Sequence, residues 1–132
     1  MRAIVYAVSA LGALVLAFGV WHWSSLPPLV RGPDGKFAAR VLEKFPVGTI
    51  EADLVRELRN QGFHSPVQAH DLFYRNSATG EEVRIRVPDP SLRYTTFSSF
   101  SFPCEVTWRV LWHADQVGKV TDIRGDYGRT CP

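Results

Sequence analysis

The chain has 132 residues, 45% of them hydrophobic, and a formal net charge of +2. That length allows one domain of ordinary size plus an accessory segment. The apolar share excludes a disordered chain, and the near-neutral charge leaves no electrostatic footprint for nucleic acid.

Between Ala3 and Val20 no side chain is charged, and only Tyr6 and Ser9 carry polar groups. The apolar run continues through Trp21, His22 and Trp23. A bilayer core takes about 20 apolar residues in a helix, and this run has that length. A soluble core helix would show a polar face, and none is present. Residues 1–23 are therefore expected to be a transmembrane signal-anchor, with residues 3–23 in contact with the lipid bilayer. Arg2 and the α-amino group precede the run, and no Lys or Arg follows until Arg31. The positive-inside rule then puts the N-terminus in the cytoplasm and the rest in the periplasm or another extracytoplasmic space. Trp21 and Trp23 fall where an interfacial aromatic belt sits. The small-x-small sequence Ala17-Phe18-Gly19 lies inside the apolar run and makes a poor cleavage site. Retention as an anchor is the leading expectation, and cleavage to a released protein is the alternative. No cysteine lies near the run, so lipid attachment there is excluded.

Residues 24–35 read as a tether. Pro27-Pro28, Gly32-Pro33 and Asp34-Gly35 are loop and turn chemistry. Residues 36–132 are the expected extracytoplasmic domain. Phe37, Val41, Leu42 and Phe45 follow helical spacing until Pro46 stops them. A second helix is expected after Thr49 as N-cap, with Glu51 and Asp53 in its first turn, where the helix dipole favours acids. Ile50, Leu54, Val55 and Leu58 form its apolar stripe. Gly62 supplies the stop, and Phe63 folds back on the stripe.

After Pro66 the period changes to two. Leu72 to Arg75 is a short strand candidate and Asn76 to Gly80 a turn. Val83, Ile85 and Val87 alternate with Arg84 and Arg86 until Pro88-Asp89-Pro90. Further on, Val106, Trp108, Val110 and Trp112 alternate with Thr107, Arg109, Leu111 and His113. Asp115 to Gly118 is a hairpin turn, and Val120 to Tyr127 returns.

Folding that hairpin with Val117 and Gly118 at its tip sets Trp112 opposite Ile123 and Trp108 opposite Tyr127. Cys104 then falls opposite Cys131 on the same face. A bulge at Gly118 would slip the register by one. A Cys104–Cys131 disulfide is expected, closing the open end of the hairpin in an oxidising compartment. No Cys-x-x-Cys motif is present, which argues against a redox or metal pair. The fold class is thus α+β: an N-terminal transmembrane helix, then two short helices packed on a small antiparallel sheet of three or four strands.

Val47-Gly48-Thr49-Ile50-Glu51-Ala52-Asp53-Leu54, followed by Leu58 and Gly62-Phe63, resembles the second-helix signature of the SmpA/OmlA (BamE-type) group of small envelope proteins. The hairpin from Trp108 through Gly118-Lys119-Val120 to Ile123 is similar to that group's last two strands. The resemblance covers about two-thirds of the soluble part. It implies an α+β fold and a non-catalytic binding or assembly role. The group's lipidated cysteine has no counterpart here, and Pro90 to Phe102 is an additional feature.

Catalytic and metal chemistry find little footing. The histidines are His22, His64, His70 and His113, and His113-x-Asp115 alone does not make a metal site. His64, Ser65 and Asp71 could be drawn as a triad, but no nucleophile elbow surrounds the serine. Glu81-Glu82 lies beside a turn, where solvation explains it. No phosphate-binding glycine loop and no cofactor motif appears. The one unusual surface candidate is Leu92 to Phe102, where Arg93, Tyr94, Phe97, Phe100 and Phe102 interleave with Ser and Thr. These residues either contact a partner or pack on the core. The expected function is a non-enzymatic, membrane-anchored accessory subunit that binds another membrane or envelope protein. A secreted inhibitor or binding protein and a small envelope hydrolase are the alternatives.

Overall fold

The computed structural model describes residues 2–68, 71–75, 82–86 and 91–132. The chain forms two units, Met1–Arg31 and Gly32–Pro132.

The first unit is helix α1, Arg2–Ser25. Twenty-four residues at 1.5 Å each span about 36 Å, enough for a hydrocarbon core of about 30 Å. By length and composition it is the one helix among the described residues that could cross a membrane, and a signal sequence meets the same test. From Tyr6 to Trp23 its large apolar side chains are exposed. The helix end is closed locally. The Ser24 and Ser25 hydroxyls donate to the carbonyls of Trp21 and His22, at 2.9 and 2.7 Å. Arg31 turns back and donates to the carbonyls of Ser24 and Leu26 at 2.9 and 2.8 Å. A cation there also complements the negative end of the helix dipole.

The second unit is α+β. A 3₁₀ turn at Asp34–Lys36 leads into α2, Phe37–Lys44. Phe37, Val41 and Phe45 are buried, as their spacing predicts, whereas Leu42 is 50% exposed and points away from the core. Helix α3 spans Glu51–Asn60. Its N-cap is Ile50, not Thr49. The Thr49 hydroxyl donates instead to the Pro46 carbonyl at 2.6 Å. The Thr49 carbonyl is taken by the sheet, accepting from the Val120 N–H at 2.8 Å, and this holds Thr49 outside the helix. Leu54 and Leu58 are buried, but Ile50 is 53% exposed and leaves the stripe. Gly62, at φ +86°, ends the turn after α3, and Phe63 is buried with its N–H on the Leu58 carbonyl at 3.0 Å.

The strands are β1 (Val67–Gln68), β2 (Asp71–Arg75), β3 (Glu82–Arg86), β4 (Arg93–Ser101), β5 (Cys104–Ala114) and β6 (Val120–Thr130). Strands β1, β4, β5 and β6 form a four-stranded antiparallel sheet in that order. β2 and β3 pair with each other in a separate two-stranded sheet. The expected single sheet therefore divides. The two short strands read after Pro66 are β2 and β3, and the sheet's remaining members are β4 and the two-residue β1. The Asn76–Gly80 turn, Val87 and the Pro88–Pro90 stop lie outside the described residues.

The closing hairpin has the register that parity gives, with Trp112 opposite Ile123 and Trp108 opposite Tyr127. The one irregularity falls between His113 and Ala114, away from Gly118, and leaves the rest of the ladder in phase. Asp115 shapes the turn, since its carboxylate accepts from the N–H groups of Val117 and Lys119 at 3.0 and 2.8 Å. Cys104 and Cys131 are joined by a disulfide, with Cα atoms 4.3 Å apart. It fits an oxidising compartment.

One face of the sheet carries the core. Val106, Trp108, Val110 and Trp112 of β5 are buried, with Thr95 and Ile123 on the flanking strands. Gly125 on β6 is the seat of α2. A Cβ added there would stand 2.8 Å from Val41 Cγ2 and 3.1 Å from both the Ala38 Cα and the Phe37 ring.

Candidate interaction surface

Alternation along β4 decides what each aromatic of the Leu92–Phe102 stretch does. Odd-numbered residues share the core face, because Thr95 is opposite Val110 and Phe97 opposite Trp108. Phe97 packs between Phe63 and Trp108, at ring-centroid distances of 5.6 and 5.8 Å. The Thr95 hydroxyl is buried and donates to the His64 carbonyl, and the His64 N–H reaches the Thr96 carbonyl at 3.0 Å. These bonds fasten the segment after α3 to the sheet.

Arg93 is held as well. It pairs with Glu51 at the start of α3, and the same carboxylate oxygen accepts the Trp112 indole N–H at 2.9 Å. Trp112 is fully buried, so this bond satisfies a donor that water cannot reach. Arg93 therefore joins helix to sheet and stays only partly exposed.

Even-numbered residues share the opposite face. Tyr94 is half-buried against Leu92 and Leu111. The Ser98 and Thr107 hydroxyls are hydrogen-bonded across the strands at 2.9 Å, and Arg109 pairs with Asp126 at 2.6 Å. Phe100 and Phe102 stand out from this face. They are 62% and 88% exposed and meet edge-to-face at 6.3 Å. They sit where β4 turns into β5, through a two-residue turn with a cis Phe102–Pro103 peptide, beside the disulfide. No charged residue occurs between Tyr94 and Cys104. Of the five residues singled out in the sequence, Phe97 is half-buried against the core residues Phe63 and Trp108, Arg93 and Tyr94 are partly engaged, and Phe100 and Phe102 form an open aromatic pair.

A concavity of about 650 Å3 lies between α3 and the sheet edge, lined by Val55, Arg56, Arg59, Val67 and Arg93 among others. Arg56 is paired with Asp53 and Arg93 with Glu51. Sequence reasoning did not find this groove, because it depends on α3 crossing the β1 edge.

Two titrating groups among the described residues are shifted by their neighbours. A hydrogen bond from Gln61 (2.8 Å) holds the Glu57 carboxyl below the ordinary range, aided by nearby Lys44 and opposed by slight desolvation. The Asp34 carboxylate, 2.7 Å away, pushes the Arg129 guanidinium up. His113 Nδ1 lies 3.5 Å from Asp122, and His22 stacks on Phe18 at 6.5 Å. Among the described residues no three His, Cys, Asp or Glu side chains gather as a metal site would need. His70, Glu81 and the side chains of Asp71 and Glu82 lie outside the described residues.

Comparisons with protein-family models, with curated proteins and with solved structures return no match.

Proposed function

We propose that this chain is a non-enzymatic, membrane-anchored envelope protein, an accessory subunit whose α+β domain binds another membrane or envelope protein outside the cytoplasm. The exposed Phe100–Phe102 pair carries this reading. Two large aromatics held apart from the core, in an uncharged stretch, make a patch that water disfavours and a partner would cover. Anchoring is supported by the apolar run of α1, which carries no charge after Arg2, and export by the disulfide. The resemblance to the SmpA/OmlA group favours binding over catalysis. The test is co-purification of the full chain from its native membrane in detergent, with wild type compared to the Phe100→Ala, Phe102→Ala double variant. The expected result is a defined partner protein that is lost from the double variant. A chain that comes down alone, or a partner retained unchanged by the variant, overturns the reading.

A further inference from the structure

The two edges of the four-stranded sheet are treated very differently. At the β6 edge, the segment before α3 takes the first backbone groups, with the Gly48 N–H on the Val120 carbonyl at 2.7 Å and the Val120 N–H on the Thr49 carbonyl at 2.8 Å, and Asp122, Arg124, Asp126 and Arg129 place charge along the rest. Such devices keep foreign strands off an edge. At the β4 edge the cover stops early. β1 pairs only with Arg93 and Tyr94, and the His64 N–H takes the Thr96 carbonyl. In an antiparallel ladder the N–H and C=O of one residue point to the same side, alternating along the strand. The Thr96 carbonyl points away from β5, so the backbone groups of Ser98 and Phe100 do too. Among the described residues none meets them.

We infer that Ser98 and Phe100 form a strand-addition site that takes an extended, uncharged segment of another protein. This rests on the partner-binding reading above and names how that partner is held. Backbone hydrogen bonds to Ser98 and Phe100 fix the segment, and an apolar side chain at every second position packs beside Phe100 and Phe102. A second copy fits less well. The open stretch is three residues, whereas a stable dimer buries about 800 Å2 per partner. A flexible segment needs no such area when both proteins share one membrane, because co-localisation raises its effective concentration.

The probe is a seven-residue peptide alternating threonine with phenylalanine and valine, with a copy N-methylated at alternate amides. The protein is the isotope-labelled full chain in phospholipid nanodiscs. Binding is expected to shift the amide signals of Ser98 and Phe100 first. N-methylation removes donors but no apolar side chain, and should weaken binding about tenfold. Ser98→Pro removes the outward N–H along with the hydroxyl bond to Thr107, which Ser98→Ala removes alone, so binding should be weakened similarly relative to Ser98→Ala, with the Cys104–Cys131 disulfide reporting that the variant is folded. Equal binding of the methylated peptide, or shifts confined to other residues, overturns strand addition. So does self-association that the peptide cannot displace, which would make a second copy the occupant. A native partner lost on Phe100→Ala, Phe102→Ala but kept by Ser98→Pro also overturns strand addition, while leaving the binding function intact.

Discussion

Gly125→Ala tests the packing of α2 on the sheet most sharply. The new methyl would stand 2.8 Å from Val41 Cγ2, 3.1 Å from the Ala38 Cα and 3.1 Å from the Phe37 ring. Val41 and Phe37 are fully buried and have no free space to swing into, and the Ala38 contact is backbone. The helix must therefore lift by a few tenths of an ångström. Overpacking of this kind costs about 1–3 kcal/mol. Replacing glycine returns about 0.4–1 kcal/mol by restricting the unfolded chain. The net loss is about 1–2 kcal/mol, and thermal unfolding should fall by about 5–15 °C for a domain near 100 residues. Gly128→Ala is the matched control. It lies on the same strand, and its Cβ would meet only Arg109 Nη2 at 3.9 Å. Circular-dichroism melts of both variants check this. If Gly125→Ala is as mild as Gly128→Ala, α2 does not seat on β6 as described.

Four other outcomes follow from the same structure. Cys104→Ser with Cys131→Ser should cost about 3.5 kcal/mol from the loop-closure relation for a separation of 27 residues, read as a lower urea midpoint that reductant reproduces in the wild type. Glu51→Ala leaves the buried Trp112 indole N–H without an acceptor and should cost about 1–3 kcal/mol, while Glu51→Gln keeps an acceptor and should cost less; denaturant titration separates the two. The Glu57 carboxyl titrates below the ordinary value because Gln61 favours its charged form, so its contribution is present above that value and lost as pH falls. Gln61→Ala should move its titration upward in an NMR pH series, and no movement would remove the cause assigned. Phe100→Ala and Phe102→Ala should each change the unfolding free energy from denaturant titration by less than about 0.5 kcal/mol, since both side chains are exposed.

Much of the fold is legible in the chain because two constraints coincide. Val106, Trp108, Val110 and Trp112 mark one face of β5, and a cysteine at the start of β5 with another just past β6 then fixes which residues of β6 oppose them. The apolar run of α1 and the Phe37–Val41–Phe45 spacing are equally direct. What stayed hidden depends on long-range contact. Strand β4 is hard to read because Tyr94, Phe97, Phe100 and Phe102 are spaced by three, three and two, so aromatics occupy both faces and no period of two stands out. Thr49 has the side chain of an N-cap, yet the sheet claims its carbonyl. Gly125 reads as a weak point in a strand, and only the arrival of α2 gives it a reason. The same parity that hid β4 sorts its candidate residues once the register is known, sending Phe97 inward and Phe100 outward, while Phe102 stands exposed in the turn that follows.

The N-terminal helix and the disulfide together carry the claim that this is an anchored protein with an exported domain. Intact-mass spectrometry of the protein extracted from its native membrane fraction tests both at once. The predicted species keeps residues 1–23 and has Cys104 and Cys131 oxidised, lighter by two hydrogens than the reduced chain. A soluble species lacking the apolar segment, or a chain with two free thiols, contradicts it.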